Sequence, residues 1–349
     1  MSLYSVFKNI AFKFDPEKIH DLTISSAHKA PQLADLFSPT SRDSRFKLTT
    51  NHMSWDFPIG VAAGFDKNAL AISFFEKLGF GALEVGTITK KPQIGNPKPR
   101  IFRHGDINSI RNAMGFPNAG SEEILKNIKT SDKSSIVLGS NIGKNKDTTE
   151  ADTPQEYSYL YKMFAPFSDY LVVNISSPNT PGLRSFQKKE MLVPILEAIN
   201  SERKVLPKPT FIKIAPDLNE EEVKMLCELS KEFQFSGIIA TNTTIQHDFG
   251  KGGLSGDYIK PYSQKIRAQV CDILKEDPKQ VIIGVGGISS YAEVKEFWKL
   301  GGHFAQVYTS FIYRGPELLR EIEQGILNDL NKYQFLNLQE FHQNIKKIE

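Results

Sequence analysis

Beyond about residue 50, short apolar runs rich in β-branched residues alternate with longer stretches whose apolar positions recur at helical spacing. Eight of the runs read as strands: Pro58 to Ala63, Ala82 to Gly86, Ile136 to Ser140, Tyr170 to Ile175, Phe211 to Ile214, Gly237 to Thr241, Val281 to Gly284, and Phe304 to Val307. Strands that alternate with helices form parallel sheets, and eight such units predict an α/β fold closed into a (β/α)8 TIM barrel.

The first 50 residues follow another pattern. Leu3, Phe7, Ile10 and Phe14 recur at helical spacing with Lys8 and Lys13 on other faces, which predicts a first helix of about 14 residues. Asp15-Pro16-Glu17 then starts a second helix, with a capping Asp, Pro at the first helical position and an acid in the first turn. A helix of about 14 residues reaches about 21 Å, short of the roughly 30 Å hydrocarbon core of a bilayer. Its apolar face either packs on the barrel or lies on a membrane surface. No apolar run of about 18 residues occurs, so no transmembrane helix is predicted, and nothing resembles a secretory signal. The expected division is a helical extension over 1–45 and a catalytic barrel over 46–349.

Composition narrows the function classes. At 349 residues, 40% hydrophobic and 24% charged, the chain suits one large barrel with an appendage. A net charge of +3 falls short of a dedicated nucleic-acid binder, so no nucleic-acid partner is expected. Cys227 and Cys271 are far apart and lack CxxC spacing, so neither a disulfide framework nor a metal site is expected, and a reducing cytoplasmic compartment fits.

Barrel chemistry sits on the loops that follow the strands. Those positions carry Gly64-Phe65-Asp66-Lys67, Thr87, Asn141, Asn174 to Asn179, Lys213, Thr241-Asn242-Thr243, Gly286-Gly287 and Tyr308-Thr309. The last two clusters follow strands seven and eight, where backbone N–H groups commonly cradle a phosphate. Lys213 ends an apolar strand and needs a partner, either an anionic ligand, an electron-rich ring edge or a nearby carboxylate. Asn112, Asn141, Asn174, Asn179 and Asn242 offer paired donors and acceptors that suit a planar ring such as a pyrimidine.

The segment Asn174-Ile-Ser-Ser177-Pro-Asn179-Thr-Pro-Gly-Leu-Arg184 resembles the substrate loop of dihydroorotate dehydrogenases. The resemblance continues in order through Gly60-Val-Ala-Ala-Gly64-Phe-Asp-Lys67, Glu84-Val-Gly-Thr87, Gly95-Asn-Pro-Lys-Pro-Arg100-Ile-Phe-Arg103, Met114-Gly-Phe116, Lys213-Ile-Ala-Pro-Asp217, Gly252-Gly-Leu-Ser-Gly256 and Tyr308 to Pro316. Ser177 stands where the membrane-associated, quinone-using class has a serine base and the soluble class a cysteine. The extension with Asp15-Pro16-Glu17 and His20 resembles the helical cap that forms the quinone tunnel of that class.

The resemblance implies oxidation of dihydroorotate to orotate in de novo pyrimidine biosynthesis, on the cytoplasmic face of the membrane as a peripheral protein. Ser177 would take a proton from ring carbon five while hydride passes from carbon six to the flavin, with electrons leaving to a membrane quinone. FMN is the implied cofactor, at Ala63, Gly64, Phe65, Asp66, Lys67, Thr87, Asn141, Asn174, Lys213, Thr241, Gly256, Gly287, Tyr308 and Thr309. Lys67 would pair with the substrate carboxylate, and Asn112, Ala113, Met114, Gly115, Phe116, Asn174, Asn179, Asn242 and Thr243 would hold the ring. Ala113 stands where many relatives carry a bulkier residue. His20, Arg103 and Tyr308 are the implied quinone residues. A flavin-dependent tRNA uracil reductase would show a more basic chain and a loop cysteine, and a non-enzymatic membrane scaffold would bind no flavin.

Overall fold

A computed structural model describes residues 3–37, 43–132 and 135–347. The eight apolar runs become β1 (Ile59–Val61), β2 (Ala82–Ile88), β3 (Val137–Ile142), β4 (Tyr170–Asn174), β5 (Thr210–Ile214), β6 (Gly237–Ala240), β7 (Val281–Gly284) and β8 (Phe304–Val307). Every sequential pair is parallel, and β8 pairs with β1 through Ala305 and Ile59, closing the barrel. Both faces of each strand are covered, which is why they are continuous apolar runs rather than alternating ones. The outer ring is built from amphipathic helices. In Lys189–Arg203, for example, Leu192, Ile195, Leu196 and Ile199 form one fully buried stripe at helical spacing.

A two-stranded hairpin, Leu48–Thr49 with Ser54–Trp55, plugs the lower end of the barrel, where the strands begin. The buried Trp55 indole stacks on Phe304 with centroids 4.3 Å apart and lies 6.4 Å from the Tyr170 ring. A Cβ on Gly60 would meet that indole at 3.1 Å and the Ala82 carbonyl oxygen at 3.0 Å, so glycine lets the plug seat closely there. At the opposite end, Ile101–His104, Ser109–Asn112 and Gly253–Gly256 form an antiparallel sheet that the hydrophobic pattern did not announce.

The extension is two helices, α1 (Leu3–Ala11) and α2 (Pro16–Lys29). Asp15 caps α2 as expected, its carboxylate accepting from the Lys18 N–H at 2.9 Å. Among the described residues the first helix ends at Ala11 and does not reach Phe14, because Pro16 holds Asp15 extended (ψ 130°) and the chain must turn between Ala11 and Asp15. Arg103 secures that turn by donating to the carbonyls of Phe14 at 2.9 Å and Phe12 at 3.3 Å, with its guanidinium 4.5 Å from the Phe12 ring. Tyr4 and Lys8 tie α1 to the barrel through the carbonyls of Ile312 and Tyr313. Its apolar residues do not pack there: Leu3, Val6, Phe7 and Ile10 remain 58, 44, 46 and 57% exposed, so the barrel-packing alternative fails. Among the described residues, no helix is long and apolar enough to cross a membrane.

Candidate active site

One chamber of about 850 Å3 runs from the upper ends of the strands to the space beneath α1 and α2. Its floor is a chain of hydrogen bonds between strand-end residues. Asn242 Nδ2 donates to Ser176 Oγ at 3.0 Å, and that hydroxyl donates to Asn174 Oδ1 at 3.0 Å. Asn174 Nδ2 in turn reaches Thr87 Oγ1 at 2.9 Å and Asn141 Oδ1 at 3.1 Å, and Asn141 Nδ2 donates to Glu84 at 2.7 Å. Every amide in the series is oriented by its neighbour, so the floor presents a fixed pattern of donors and acceptors.

Glu84 is the hub beneath that floor. Besides Asn141 it accepts from Lys213 Nζ at 3.0 Å and Gln306 Nε2 at 2.7 Å, each from a different strand facing the barrel axis. The lysine therefore takes the carboxylate partner that the sequence left as one of three alternatives. It still faces the chamber.

Above the floor, Ser177 lies buried on the loop after β4, its Oγ accepting from the Asn179 N–H at 3.3 Å. Asn179 donates to the carbonyl and side-chain oxygens of Asn112 at 3.1 and 3.0 Å, joining this loop to the antiparallel sheet. Arg184 fastens the loop from the other side, donating to Ser176 O at 3.0 Å, Asp217 at 2.7 Å and Thr243 O at 2.8 Å. The Met114 to Phe116 turn is held by Gln93, which donates to Gly115 O at 3.1 Å, and by Asn96, which donates to Ala113 O at 3.0 Å.

Lys67 and His20 meet at 2.9 Å, Nζ to Nε2. Burial lowers the Lys67 pKa to about 8 despite the nearby Asp21, Glu17 and Asp66 carboxylates. Burial, reinforced by the Lys67 charge, holds His20 well below the usual imidazole range. The His20 ring also sits edge-on to Phe65, which continues into a wall with Tyr308, Phe75 and Phe311. Tyr308 donates to Gly64 O at 3.3 Å, and burial raises its phenol pKa.

At the other end, Gly286 and Gly287 adopt φ of +94° and +74°. A Cβ on either would come within 2.5 Å of Ser263 or Lys260, so this turn accepts only glycine and leaves its main chain bare toward the chamber. Gln306 Oε1 and Thr243 Oγ1 are buried atoms of chamber-lining residues without a partner among the described residues. Buried polar atoms of that kind are filled by water or a ligand.

Nearly all residues singled out in the sequence line this chamber: Ala63, Gly64, Phe65, Lys67, Thr87, Asn112, Met114, Gly115, Phe116, Asn174, Ser177, Asn179, Lys213, Thr241, Asn242, Thr243, Gly256, Gly287, Tyr308 and Thr309, with His20 and Arg103 toward the extension. Three do not. Asn141 is fully buried one layer below, Asp66 turns away to accept from the Leu70 and Ala71 N–H groups, and Ala113 packs beside Gly252. Glu84, Gln306, Arg184 and Asp217 shape the site without having been assigned a part in it. The two cysteines are buried on outer helices, where burial pushes each thiol up to about 12, so neither is a loop nucleophile.

A closed parallel barrel whose upper mouth holds a polar floor, a glycine-only turn and one long chamber has the architecture of a barrel enzyme. The chain belongs to the dihydroorotate dehydrogenase family: the family profile described as Dihydroorotate dehydrogenase matches residues 46–330. A relative from Nitratiruptor sp. named Dihydroorotate dehydrogenase (quinone) is 40% identical over 351 residues, covering 97% of each chain. One of the same name from Christiangramia forsetii is 39% identical and covers 93% of this chain and 98% of its own. The ligand-free DHODH structure from Eimeria tenella superposes with a TM-score of 0.85 at 37% identity, covering 93% of this chain and 98% of that one. The ferulenol complex of DHODH from the same organism gives 0.84 at 36%, covering 93 and 94%.

Proposed function

We propose that this chain oxidises dihydroorotate to orotate in pyrimidine biosynthesis and passes the electrons to a quinone, with FMN as cofactor and Ser177 as base. The observation that carries the reading is the hydrogen-bonded series that orients Asn242, Asn174 and Thr87 at the chamber floor, matched to a flat ring of alternating carbonyl and N–H groups, with Ser177 on the loop above it. The extension over 1–45 would form the quinone side, and 46–349 the catalytic barrel. The exposed apolar face of α1 supports peripheral attachment, on the cytoplasmic side, to the bilayer in which quinones partition.

The residues fit FMN. The bare main chain at Gly286-Gly287 suits a phosphate, and the unpartnered Gln306 Oε1 and Thr243 Oγ1 are polar atoms that a ring with several heteroatoms can satisfy. When bound, FMN supplies the two-electron acceptor for substrate hydride. Lys213 places its ammonium where electron density would collect, and its bond to Glu84 fixes its position in advance.

The remaining steps fall to the chain. Lys67 pairs with the substrate carboxylate, and Asn112, Asn174, Asn179, Asn242 and Thr243 hold the ring so that carbon five faces Ser177. A serine hydroxyl lies far above neutrality, so it accepts a proton only where its own departs and the developing anion is stabilised. The Asn179 N–H directed at Ser177 Oγ supplies that stabilisation. Met114 and Phe116 shield the reacting edge from water.

Rapid mixing of the purified protein with dihydroorotate without oxygen should bleach a bound flavin, and quinone should restore its colour. Ser177→Ala should retain flavin and bind orotate while bleaching at least roughly 100-fold more slowly. Bleaching of this variant at the parent rate would remove Ser177 from the base role, and a colourless parent protein would refute the assignment itself.

A further inference from the structure

Beside the main chamber lies a second pocket of about 310 Å3 between α2 and the turn that carries Lys98 and Arg100. Its lining is polar, with Glu17, Asp21, Asn68, Lys98, Arg100 and Asn118 contributing, whereas the chamber beneath the extension is walled by side chains such as Phe7, Leu22, Leu33 and Leu36. Met114 and Pro117 form part of the partition, and Lys67 lines both spaces. His20 lines only the chamber, and it receives its hydrogen bond from Lys67 at 2.9 Å. Two side chains in contact therefore connect a pocket lined by charged side chains with an apolar one.

Reduction of a quinone to its quinol consumes two electrons and two protons. The hydride leaving carbon six accounts for both electrons and one proton, while the proton from carbon five departs through Ser177. One proton must then be brought from solvent into the apolar end of the chamber, where bulk water is unfavourable. We propose that Lys67 and His20 form the proton inlet of the quinone half-reaction. Water in the small pocket protonates Lys67, the ammonium passes a proton to His20 Nε2, and the imidazole releases one from Nδ1 to a quinone oxygen. No bond other than N–H and O–H changes, and Lys67 is recharged from solvent.

The surroundings suit this task. Glu17 and Asp21 on α2 and Asp66 beside Lys67 favour the ammonium, Arg100 opposes it, and burial outweighs them, leaving the group near 8 and ready to exchange a proton at physiological pH. Glu17 is itself committed to Arg100 at 2.7 Å and Lys98 at 3.2 Å, which leaves Asp21 as the carboxylate free to tune the lysine. Because Lys67 also pairs with substrate on the reading above, on which this inference rests, the inlet opens only after orotate has left.

The test uses the flavin-loaded full chain, reduced with dihydroorotate without oxygen and then mixed with a saturating short-tailed quinone. His20→Ala should slow reoxidation at least roughly tenfold, and added imidazole should restore much of the rate. An unchanged rate, or a loss that imidazole cannot repair, overturns the inlet. The parent's reoxidation should fall as pH rises through the Lys67 transition, and Asp21→Asn should move that limb to lower pH, since the ammonium loses a stabilising charge. A limb that stays in place overturns it as well. In quinone-free protein the 15N shift of His20 Nε2 should titrate with the same midpoint and lose that transition in Lys67→Met; a shift blind to Lys67 counts against the relay. Failure of the parent to be reduced by dihydroorotate would instead sink the underlying functional reading.

Discussion

Glu84 and Lys213 meet at 3.0 Å in the middle of the barrel, their side chains 0 and 4% exposed. Removing two charges from water costs more than their attraction reliably returns, so the pair is better explained by what it presents to the chamber than by stability. Lys213→Ala should strand the carboxylate and cost about 3–5 kcal/mol of unfolding free energy, along with flavin affinity. The double variant Glu84→Gln with Lys213→Met should recover much of the stability, yet its flavin should be harder to reduce. Chemical denaturation and reductive titration separate the two effects, and equal potentials in the parent and double variant would show that the ammonium has no electronic role.

Arg184 is bonded to three segments at once: its own loop at Ser176, the turn after β5 at Asp217, and the turn after β6 at Thr243. Lysine can keep the ion pair but not the fork, so Arg184→Lys should lose about 1.5–3 kcal/mol of loop fixation. The expected reading is a rise of roughly tenfold or more in the KM for dihydroorotate with flavin content unchanged. A KM equal to that of the parent would mean the loop is held by other contacts.

The exposed face of α1 predicts membrane behaviour. Replacing Val6 and Ile10, which are exposed and do not line the chamber, together with Gln removes two side chains, each worth up to about 1.5–3 kcal/mol when fully buried. Liposome co-sedimentation should fall at least tenfold, and the KM for a long-tailed quinone should rise while a short-tailed one is used as before. Undiminished sedimentation would place the attachment elsewhere.

His303 and His342 form a half-buried pair, ring centroids 5.7 Å apart. His303 Nδ1 accepts from the Ile282 N–H at 3.1 Å, and burial, aided by the His342 charge, lowers its pKa to about 3. The unfolded chain, at about 6.5, takes up this proton first as pH falls. Stability is thus whole above about 6.5 and is lost progressively toward about 3, at up to about 1.4 kcal/mol per pH unit from this residue. Urea unfolding at pH 7.5 and pH 5 should show the loss, and His303→Asn, which keeps an acceptor for Ile282, should reduce it. Equal slopes in both proteins would exclude His303 as the source.

The sequence exposed the barrel because buried parallel strands are written as local apolar runs, and it exposed the chamber because polar residues cluster where those runs stop. It hid what depends on distance along the chain. Glu84 is 129 residues from Lys213 and 222 from Gln306, and no local pattern announces such a meeting. The plug was hidden for a different reason: strands of two residues, Leu48–Thr49 and Ser54–Trp55, have no periodicity to detect. Spacing alone extends the first helix to Phe14, which keeps the helical period although Pro16 already dictates the turn.

With Trp55 seated against Phe304 and Tyr170, the barrel is blind at its lower end, and traffic to the chamber must use the opposite side. The floor is woven through the ends of four strands and cannot be altered one residue at a time without disturbing the rest. The roof over the apolar end is mostly a single stretch of about thirty residues near the start of the chain, attached by a few side chains such as Arg103, Arg100 and Lys8. If the extension forms the quinone side as proposed, the choice of electron acceptor is open to evolutionary exchange, by trading one helical cassette for another, in a way that the choice of substrate is not.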